Sequence, residues 1–366
     1  MKRKITQPGQ RPALLVSAFL LLVLVVGIGV GARVWPRLEA GLPGGAPLQA
    51  TGQPGWPTAV PTPGPAQFAN PVIDRDFPDP DSLRVGDVYY AYATNTRGAN
   101  VQLARSKDLV RWERLGDALP TLPPWSRPGF TWAPEVTAAG EGYVMYFTAR
   151  HAASGRQCIG AATSATPLGP FAPRGEEPLV CQLDQGGSID ASSFVDEDGT
   201  RYLLWKNDGN CCRQDTWIYL QEVSPDGLTL TGEAVRLIRG HLAWEGFLVE
   251  APTLWKRGPT YYLFYSANRY SGAEYAVGYA TAEAVLGPYR KSGEPMLATS
   301  TERGPVIGPG GQDVVATGDG RTWLLYHSWE PTSSAYRGLS LDELEWMDEV
   351  PVVRGTNRRP QRRPLP

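Results

Sequence analysis

Five short segments rich in aromatic residues recur along this 366-residue chain at intervals of about 60 residues. Their period-2 pattern predicts β-strands that are half buried in a sheet. A glycine-containing turn precedes each segment, which indicates a tight reversal between antiparallel strands. The segments are residues 88–94, 143–150, 201–208, 260–269 and 322–329.

A further strand with small residues and a turn signal follows most of these segments, as in VQLARSKDL from Val101 and AVGYATAEAVLGPY from Ala276. Antiparallel units of about four strands, repeated around an axis, build β-propellers of about four to eight blades. The sequence therefore predicts an all-β fold, a five-bladed β-propeller, over residues 67–353. That length suits one closed domain with a large core.

An acidic residue stands about one strand and one turn before each aromatic segment. Because the first strand of a propeller blade lines the central channel, we expect these carboxyl groups to surround one funnel mouth. Clustered carboxylates raise one another's pKa, a cost that folds tolerate chiefly where chemistry or a cation needs them. The alternative for each acid is a cap or a salt bridge, which we favour for Glu135 and Asp313. The five acids are Asp79, Glu135, Asp190, Glu250 and Asp313.

Carboxyl groups that face a sugar-sized cleft are typical of glycoside hydrolysis, in which one acid protonates the leaving oxygen and a second carboxylate activates water or attacks. Glu250 lies in the apolar segment FLVEAPTLW, which predicts a raised pKa and a protonated general acid. Asp79 lies in the polar turn FPDPDS, which favours the ionised form expected of a general base.

Five motifs follow one another in order along the chain: NPVIDRDFPDPDS from Asn70, TWAPEV from Thr131, SIDASSFVDEDGTRYLLWK from Ser188, VEAPTLWKRGPTYYLFYS from Val249 and GPGGQDVVATGDGRTWLLYH from Gly308. This ordered set resembles glycoside hydrolase family 43, the group of arabinanases, α-L-arabinofuranosidases and β-xylosidases. The resemblance covers residues 70 to about 353 and implies a five-bladed propeller and an inverting mechanism. It implies Asp79 as general base, Asp190 as the residue that tunes the pKa and orients the acid, and Glu250 as general acid. An inverting pair stands about 6.5 to 9.5 Å apart.

The chain departs from this resemblance at one position. Many family members carry a histidine after the Gly-Pro-Gly turn that helps to hold a central calcium ion, and here that position is Gly311. We therefore predict no required cofactor and no metal site. Calcium stays open as an alternative, with an oxygen from Gln312 or Asp313 as one ligand.

Several further side chains are candidates for substrate binding. Trp132 and Trp244 stand nearest the acids and are predicted to stack on sugar rings, although most aromatic residues are expected in the core. His327 ends the fifth aromatic segment and is either a buried, hydrogen-bonded side chain or a group at the funnel mouth. The predicted substrate-binding set is Trp132, Glu135, Trp244, Gln312, Asp313 and His327.

The four cysteines allow three disulfide connectivities. We predict a bond between Cys158 and Cys181, which leaves Cys211 and Cys212 as a vicinal pair. Free thiols or crossed pairing are the alternatives. Zinc is not predicted, because the histidines are scattered and no spaced Cys/His quartet exists.

Both ends of the chain differ from the predicted domain in composition. Residues 1–12 are basic and are predicted to be cytoplasmic, and residues 13–32 carry no charge over a length that can cross a bilayer. A cleaved signal peptide is the alternative to this membrane anchor. Residues 33–66, rich in proline and glycine, are predicted to form a linker, and the basic tail, residues 354–366, to be disordered.

The formal charge of -2 and the lack of a basic stripe argue against a nucleic-acid partner. The sequence thus predicts a monomeric glycoside hydrolase, tethered to the membrane outside the cytoplasm or else secreted. Its expected substrates are arabinofuranosyl or xylosyl linkages of plant-type polysaccharides or their oligosaccharides. The alternatives are a non-catalytic carbohydrate-binding propeller at the cell surface and a related glycosidase that acts on fructosyl or galactosyl units.

Overall fold

The computed structural model of the chain describes residues 62–302, 304–331, 336–354 and 358–365. The predicted cytoplasmic segment, the predicted membrane anchor and the linker up to residue 61 lie outside this part of the chain. Within the described residues, no helix has the length and apolar character that a membrane span needs.

A two-residue strand, β1 (Gln67–Phe68), precedes five antiparallel sheets of four strands, each built from one continuous stretch of chain. These sheets are the blades, and they confirm the predicted five-bladed propeller. The first blade comprises β2 (Asp81–Val85), β3 (Val88–Ala93), β4 (Gln102–Ser106) and β5 (Glu113–Asp117). The second comprises β6 (Ser126–Ala139), β7 (Gly142–His151), β8 (Gln157–Ser164) and β9 (Ala172–Arg174).

The remaining three blades repeat this up-and-down order. The third comprises β10 (Ser188–Val195), β11 (Arg201–Asn207), β12 (Trp217–Val223) and β13 (Leu230–Arg239). The fourth comprises β14 (Val249–Arg257), β15 (Thr260–Ala267), β16 (Ala276–Ala282) and β17 (Arg290–Lys291). The fifth comprises β18 (Ile307–Ala316), β19 (Thr322–Trp329), β20 (Arg337–Met347) and β21 (Val350–Val353). Short 3-10 helices are η1 (Leu183–Gln185), η2 (Gly209–Cys212) and η3 (Ala243–Glu245).

The aromatic strand is the second strand of every blade, and it is buried on both faces rather than half buried as predicted. In β15 every residue after Thr260 is buried. Leu263 packs toward the third blade, in a cluster with Leu204, whereas Phe264 packs toward the fifth blade, in a cluster with Tyr326. Because each blade lies between two others, alternate side chains of this strand pack against the two neighbouring blades. The period-2 pattern therefore does not separate a buried face from a solvent-exposed face.

The innermost strand of each blade bends at one residue in the left-handed region of backbone space. Register shifts mark a β-bulge at this point in the second to fifth blades. Positive φ is uncommon for residues other than glycine, and a bulge redirects the side chains beside it. The bulge therefore decides which side chains reach the channel. The residues at these bends, which we call the bulge residues, have φ from 38 to 57°; they are Asp79, two residues before β2, and Ala133, Asp190, Ala251 and Gly311.

The ring closes without a strand shared by the first and fifth blades in the described part of the chain. Asn70 instead exchanges two hydrogen bonds with the backbone of Leu341, at 3.0 and 2.8 Å. In addition, β1 pairs with a strand of the tail, β22 (Gln361–Arg362). The prediction of a disordered tail is wrong for this strand, because β1 supplies its hydrogen-bond partners and Arg363 forms an ion pair with Asp108.

Disulfides join Cys158 to Cys181 and Cys211 to Cys212, and none of the four cysteines is free. The first bond confirms the predicted pairing. The second bond shows that Cys211 and Cys212 form a vicinal disulfide, and not free thiols or crossed pairs. It lies at the end of η2.

Candidate active site

A cavity of about 380 Å³ lies where the inner strands of the five blades meet. Its volume falls within the range of small-molecule sites, about 300 to 1,000 Å³. Every blade contributes an acidic side chain to the wall, and the structure thus brings together all of the acids predicted to face the channel. These are Asp79, Glu135, Asp190, Glu250 and Asp313.

Six of the seven acids of the cavity fall into two groups by their position relative to the bulge, and the seventh, Asp208, follows β11. Three lie at the bulge residue or directly before it, and we call them the bulge acids: Asp79, Asp190 and Glu250. Three others lie two residues beyond the bulge residue, about 7 Å further along the strand. We call these the inter-blade acids: Asp81, Glu135 and Asp313. Asp81 was not predicted, although its spacing of two residues from Asp79 in FPDPD was a usable signal.

Each inter-blade acid connects its own blade to the next one. Each accepts a backbone N–H at 2.9 Å, from Val136 to Asp81, from Ser193 to Glu135 and from Ser82 to Asp313. Burial raises the pKa of all three, to well above the ordinary range for Asp81, to about 7 for Glu135 and to about 6 for Asp313. These contacts fit the structural role that we favoured for Glu135 and Asp313.

Asp79 carries the most strongly stabilised carboxylate of the bulge acids. Its Oδ2 accepts a hydrogen bond from the hydroxyl of Thr94 at 2.6 Å, and its Oδ1 lies 3.1 Å from Nη1 of Arg337. Burial opposes ionisation, but the charge of Arg337 and the hydrogen bond from Thr94 outweigh it and lower the pKa of Asp79. Asp79 is therefore ionised at neutral pH, as the polar turn predicted.

His327 supports Asp79 from inside the fold. Its ring is fully buried, and its Nδ1 accepts the backbone N–H of Asp79 at 3.0 Å. Burial and the neighbouring charge of Arg337 lower the pKa of His327 to about 3, so the imidazole is neutral. His327 does not line the cavity, and its inclusion in the substrate-binding set is wrong, because it takes the buried alternative.

Arg337 was missed by the sequence analysis. It begins β20, the third strand of the fifth blade, and its guanidinium lies 4.8 Å from the ring centre of Tyr270 while it pairs with Asp79. Both Arg337 and Tyr270 line the cavity. No local pattern marked this arginine, because its partner lies 258 positions away in the sequence.

Asp190 links the third blade to β14, the innermost strand of the fourth. Its Oδ2 accepts the backbone N–H of Ala251, the residue after Glu250, at 3.0 Å. Burial and the nearby Glu250 raise the pKa of Asp190 to about 7, although Lys206 acts in the opposite direction. Asp190 therefore holds a proton below about pH 7, within electrostatic range of Glu250.

Glu250 is paired with a buried lysine and does not lie in apolar surroundings as predicted. Nζ of Lys206 lies 2.8 Å from Glu250 Oε2, and the side chain of Lys206 has no exposed surface. The apolar neighbours in the sequence misled the prediction, because alternation along β14 turns Val249 into the core and Glu250 into the channel. Lys206 itself was also missed, although it is the one charged residue in the interior of the strand YLLWKN.

The two predicted tryptophans have different positions. Trp132 is half-buried and lines the cavity. Trp244 does not line it, and the prediction for Trp244 is wrong. From η3 its indole stacks on Tyr265, with ring centres 5.9 Å apart, and Nε1 donates to the carbonyl oxygen of Gly293 at 3.0 Å. Gly278 leaves space for the indole, since a Cβ there would lie 2.7 Å from it.

Gln312 lines the cavity, but its amide is engaged by protein groups. Nε2 donates to the carbonyl oxygen of Ala251 at 2.6 Å, and Oε1 accepts the hydroxyl of Ser266 at 2.6 Å. These two bonds join the fourth and fifth blades beside Glu250. Gln312 therefore holds β14 in place instead of presenting a free amide to a ligand.

Comparison with known proteins identifies the family. The model of glycosyl hydrolases family 43 matches residues 68–351, a range that includes the first four blades, the fifth blade up to the middle of β21, and all the bulge acids. The chain belongs to this family. The match covers the domain that the motifs predicted from residue 70 onward.

Individual family 43 relatives agree in fold and differ in length. The chain is 29% identical over 303 residues to xylosidase/arabinosidase 43B of Humicola insolens, an alignment that covers 77% of this chain and 54% of the relative. The chain thus spans about half the length of that protein. A thermostable family-43 glycoside hydrolase of known structure has a TM-score of 0.74 and 33% identity, with 82% of this chain and 99% of that chain covered. An endo-1,4-beta-xylanase structure from Bacteroides thetaiotaomicron has a TM-score of 0.68 and 29% identity, with 80% of this chain and 99% of that chain covered.

The residues at the calcium position of family 43 do not fit a calcium site. A Cβ on Gly311 would lie 2.6 Å from the imidazole of His327, so the ring of the next strand occupies the space of the expected histidine. His327 cannot replace it as a ligand, because its Nδ1 already accepts the N–H of Asp79 and Nε2 faces Arg337 at 3.4 Å. Elsewhere in the described part of the chain, His151, Cys158 and Cys181 lie close enough together to hold a metal ion. The two cysteines of this group are bonded to each other in a disulfide and are not free thiols.

Proposed function

We propose that this family 43 protein is an inverting glycoside hydrolase that cleaves arabinofuranosyl or xylosyl linkages. The observation that carries the proposal is the contrast between Asp79 and Glu250, which line one cavity in different electrostatic settings. Arg337 keeps Asp79 ionised, whereas Glu250 shares a buried ammonium group with Asp190. Hydrolysis with inversion requires one carboxylate that activates water and one carboxyl group that protonates the leaving oxygen.

Asp79 is the general base of the proposed reaction. Its carboxylate takes a proton from a water molecule as that water attacks the anomeric carbon. Thr94 and Arg337 fix the two carboxylate oxygens, and His327 fixes the backbone of the same residue. This support keeps the base in one orientation, which the attack geometry demands.

Glu250 is the general acid, and Asp190 modulates it. Glu250 transfers a proton to the glycosidic oxygen as the bond to the anomeric carbon breaks. Asp190, whose pKa is raised to about 7, lies within electrostatic range of Glu250 and accepts the backbone N–H of the next residue. Lys206 then stabilises the carboxylate that remains on Glu250, because its ammonium lies 2.8 Å away and is shielded from water.

The names of the relatives support a pentose substrate. One relative is a xylosidase/arabinosidase and one structural neighbour is an endo-1,4-beta-xylanase. Trp132 and Tyr270 offer aromatic faces in the cavity wall on which sugar rings can stack. We therefore expect arabinan- or xylan-type polysaccharides, or oligosaccharides derived from them, as substrates.

We further propose that the enzyme works as a monomer outside the cytoplasm, held at the membrane by residues 13–32. The two disulfides support this placement, because disulfides persist in oxidising compartments. Cell fractionation with an antibody against the propeller tests it. Recovery from the medium instead of the membrane fraction would favour a cleaved signal peptide.

A proton NMR time course of the purified chain with arabino- and xylo-oligosaccharides tests the reaction. We expect the inverted anomer to appear first from one of the two substrates. First appearance of the retained anomer would exclude Asp79 as a general base. Line broadening without release of sugar would favour the carbohydrate-binding alternative.

A further inference from the structure

The loop between β11 and β12 brings a disulfide to the wall of the cavity. This loop contains η2 and contributes Asp208, Asn210 and Cys211 to the lining. Cys211 is exposed and Cys212 is half-buried. One of the two bonded cysteines, Cys211, therefore lines the same cavity as the bulge acids.

Neighbouring residues of the same chain hold this disulfide in a fixed orientation. Nη1 of Arg156 lies 3.0 Å from Sγ of Cys211 and 2.7 Å from Sγ of Cys212. Behind the loop stands Gly186, where a Cβ would lie 3.1 Å from Sγ of Cys211 and 2.4 Å from the carbonyl oxygen of Asp208. With φ of 92°, Gly186 also has a backbone conformation that other residues rarely adopt. Neither contact involves the bulge acids, so the loop has its own support.

The disulfide adds a nonpolar, polarisable surface to a wall otherwise rich in charge. Disulfide sulfurs have no hydrogen to donate and interact mainly by dispersion. The faces of pentose rings expose C–H groups, which suit such a surface, while the hydroxyl groups at the ring edge need polar partners. Asp208 and Asn210, on the same loop, supply polar groups next to the sulfurs.

We infer that the Cys211–Cys212 disulfide is the nonpolar wall of a subsite that binds the sugar unit on the leaving-group side of the scissile bond. The inference rests on the proposed function. The side is set by Asp208, whose carbonyl accepts the N–H of Cys211 and whose carboxyl group lies within electrostatic range of both Lys206 and Glu250. Glu250 protonates the leaving oxygen, so the sugar attached to that oxygen lies on the same side.

Two substrates that share a glycone separate this subsite from the catalytic acids. One is the disaccharide that the native chain cleaves, xylobiose or α-1,5-arabinobiose, and the other is the glycosyl fluoride of the same pentose, which has no leaving sugar. In Cys211→Ala/Cys212→Ala we expect kcat/KM for the disaccharide to fall about tenfold and kcat/KM for the fluoride to stay within about twofold. The matched control is Cys158→Ala/Cys181→Ala, which removes a disulfide that does not line the cavity and should leave the ratio of the two substrates unchanged.

Each outcome supports or overturns the subsite. Unchanged disaccharide cleavage in Cys211→Ala/Cys212→Ala would overturn it while the proposed function stands. If the variant also loses fluoride hydrolysis, a second variant, Arg156→Met, decides, because it keeps the disulfide and removes the group that orients it. A loss of kcat/KM for the disaccharide alone in Arg156→Met supports the subsite. An unchanged ratio of kcat/KM for the disaccharide to kcat/KM for the fluoride overturns it. If the native chain cleaves neither substrate, the proposed function fails, and the subsite fails with it.

Discussion

The ammonium group of Lys206 lies 2.8 Å from Glu250 Oε2 and has no exposed surface. A buried lysine is costly unless carboxylates compensate its charge, and Glu250, Asp190 and Asp208 do so here. The pair thus joins the second strand of the third blade to the first strand of the fourth. It also places a fixed positive charge beside the proposed proton donor.

Lys206→Met should shift the pH dependence of activity. Without the ammonium group, Asp190 binds its proton more tightly, because the positive charge of Lys206 lowers the pKa of Asp190 in the native chain. We expect the basic limb of the kcat/KM profile to move up by about one pH unit or more. The measurement is kcat/KM from pH 4 to pH 9 on the preferred oligosaccharide.

The matched control for this prediction is Lys256→Met. Lys256 also pairs with an aspartate, Asp196 at 2.8 Å, but lies outside the cavity wall. Its removal should leave the profile in place. An unchanged basic limb in Lys206→Met would show that Lys206 only fills space and balances charge.

Glu250→Gln and Asp79→Asn should differ in their dependence on the leaving group. Loss of a general acid or base costs about 10² to 10⁴-fold in rate. In Glu250→Gln this loss should be small for 4-nitrophenyl glycosides, whose leaving group needs little protonation, and large for oligosaccharides. In Asp79→Asn both substrates should lose activity, because every substrate needs an activated water.

Glu135→Gln is the control for both variants, since Glu135 lines the same cavity but serves the contact between blades. It should lower the free energy of unfolding and retain most of the activity. Equal losses on both substrates in Glu250→Gln would remove Glu250 from the acid role.

The sequence predicted the blades well because their signals are local. A glycine turn followed by an alternating aromatic strand needs only about ten residues to be recognised. The sequence analysis favoured a structural role for Glu135 and Asp313, but it did not predict the bulges that set them apart from the bulge acids, because a bulge adds one residue to one strand and shifts every later side chain. Lys206 and Arg337 were missed for a different reason: they reach the site from the second and third strands of their blades, and only the fold reveals their partners.

Asp313→Asn should make the stability of the domain less dependent on pH. In the folded chain the pKa of Asp313 is raised to about 6 and that of Glu135 to about 7, both first of all by burial. The folded state therefore binds more protons than the unfolded state between about pH 4 and pH 7, so stability falls as pH rises through that window. The amide of the variant would not titrate, and its neutral side chain would also relieve Glu135. Urea midpoints at pH 4.5 and pH 8 should differ less in the variant than in the native chain.

The control for the stability prediction is Glu233→Gln, at an exposed position of β13. It should leave the pH dependence of the urea midpoint unchanged. A native chain whose midpoint rises steadily from pH 4.5 to pH 8 would contradict the raised pKa values of the inter-blade acids.

Gly311→Ala should displace Asp79, the proposed general base. The new Cβ would lie 2.6 Å from the imidazole of His327 and 3.1 Å from Oδ1 of Asp79, so both must move. We expect kcat/KM to fall at least about tenfold, since small displacements of a catalytic group are costly. Gly258→Ala is the matched control: φ is 53° there against 56° at Gly311, but nothing lies within 4 Å of the added Cβ.

The crowding at Gly311 also leaves no room for the histidine that would bind calcium at this position. Neither EDTA nor added calcium should therefore change the activity of the native chain. Activation of the native chain by calcium, lost in Gly311→Ala, would contradict this prediction.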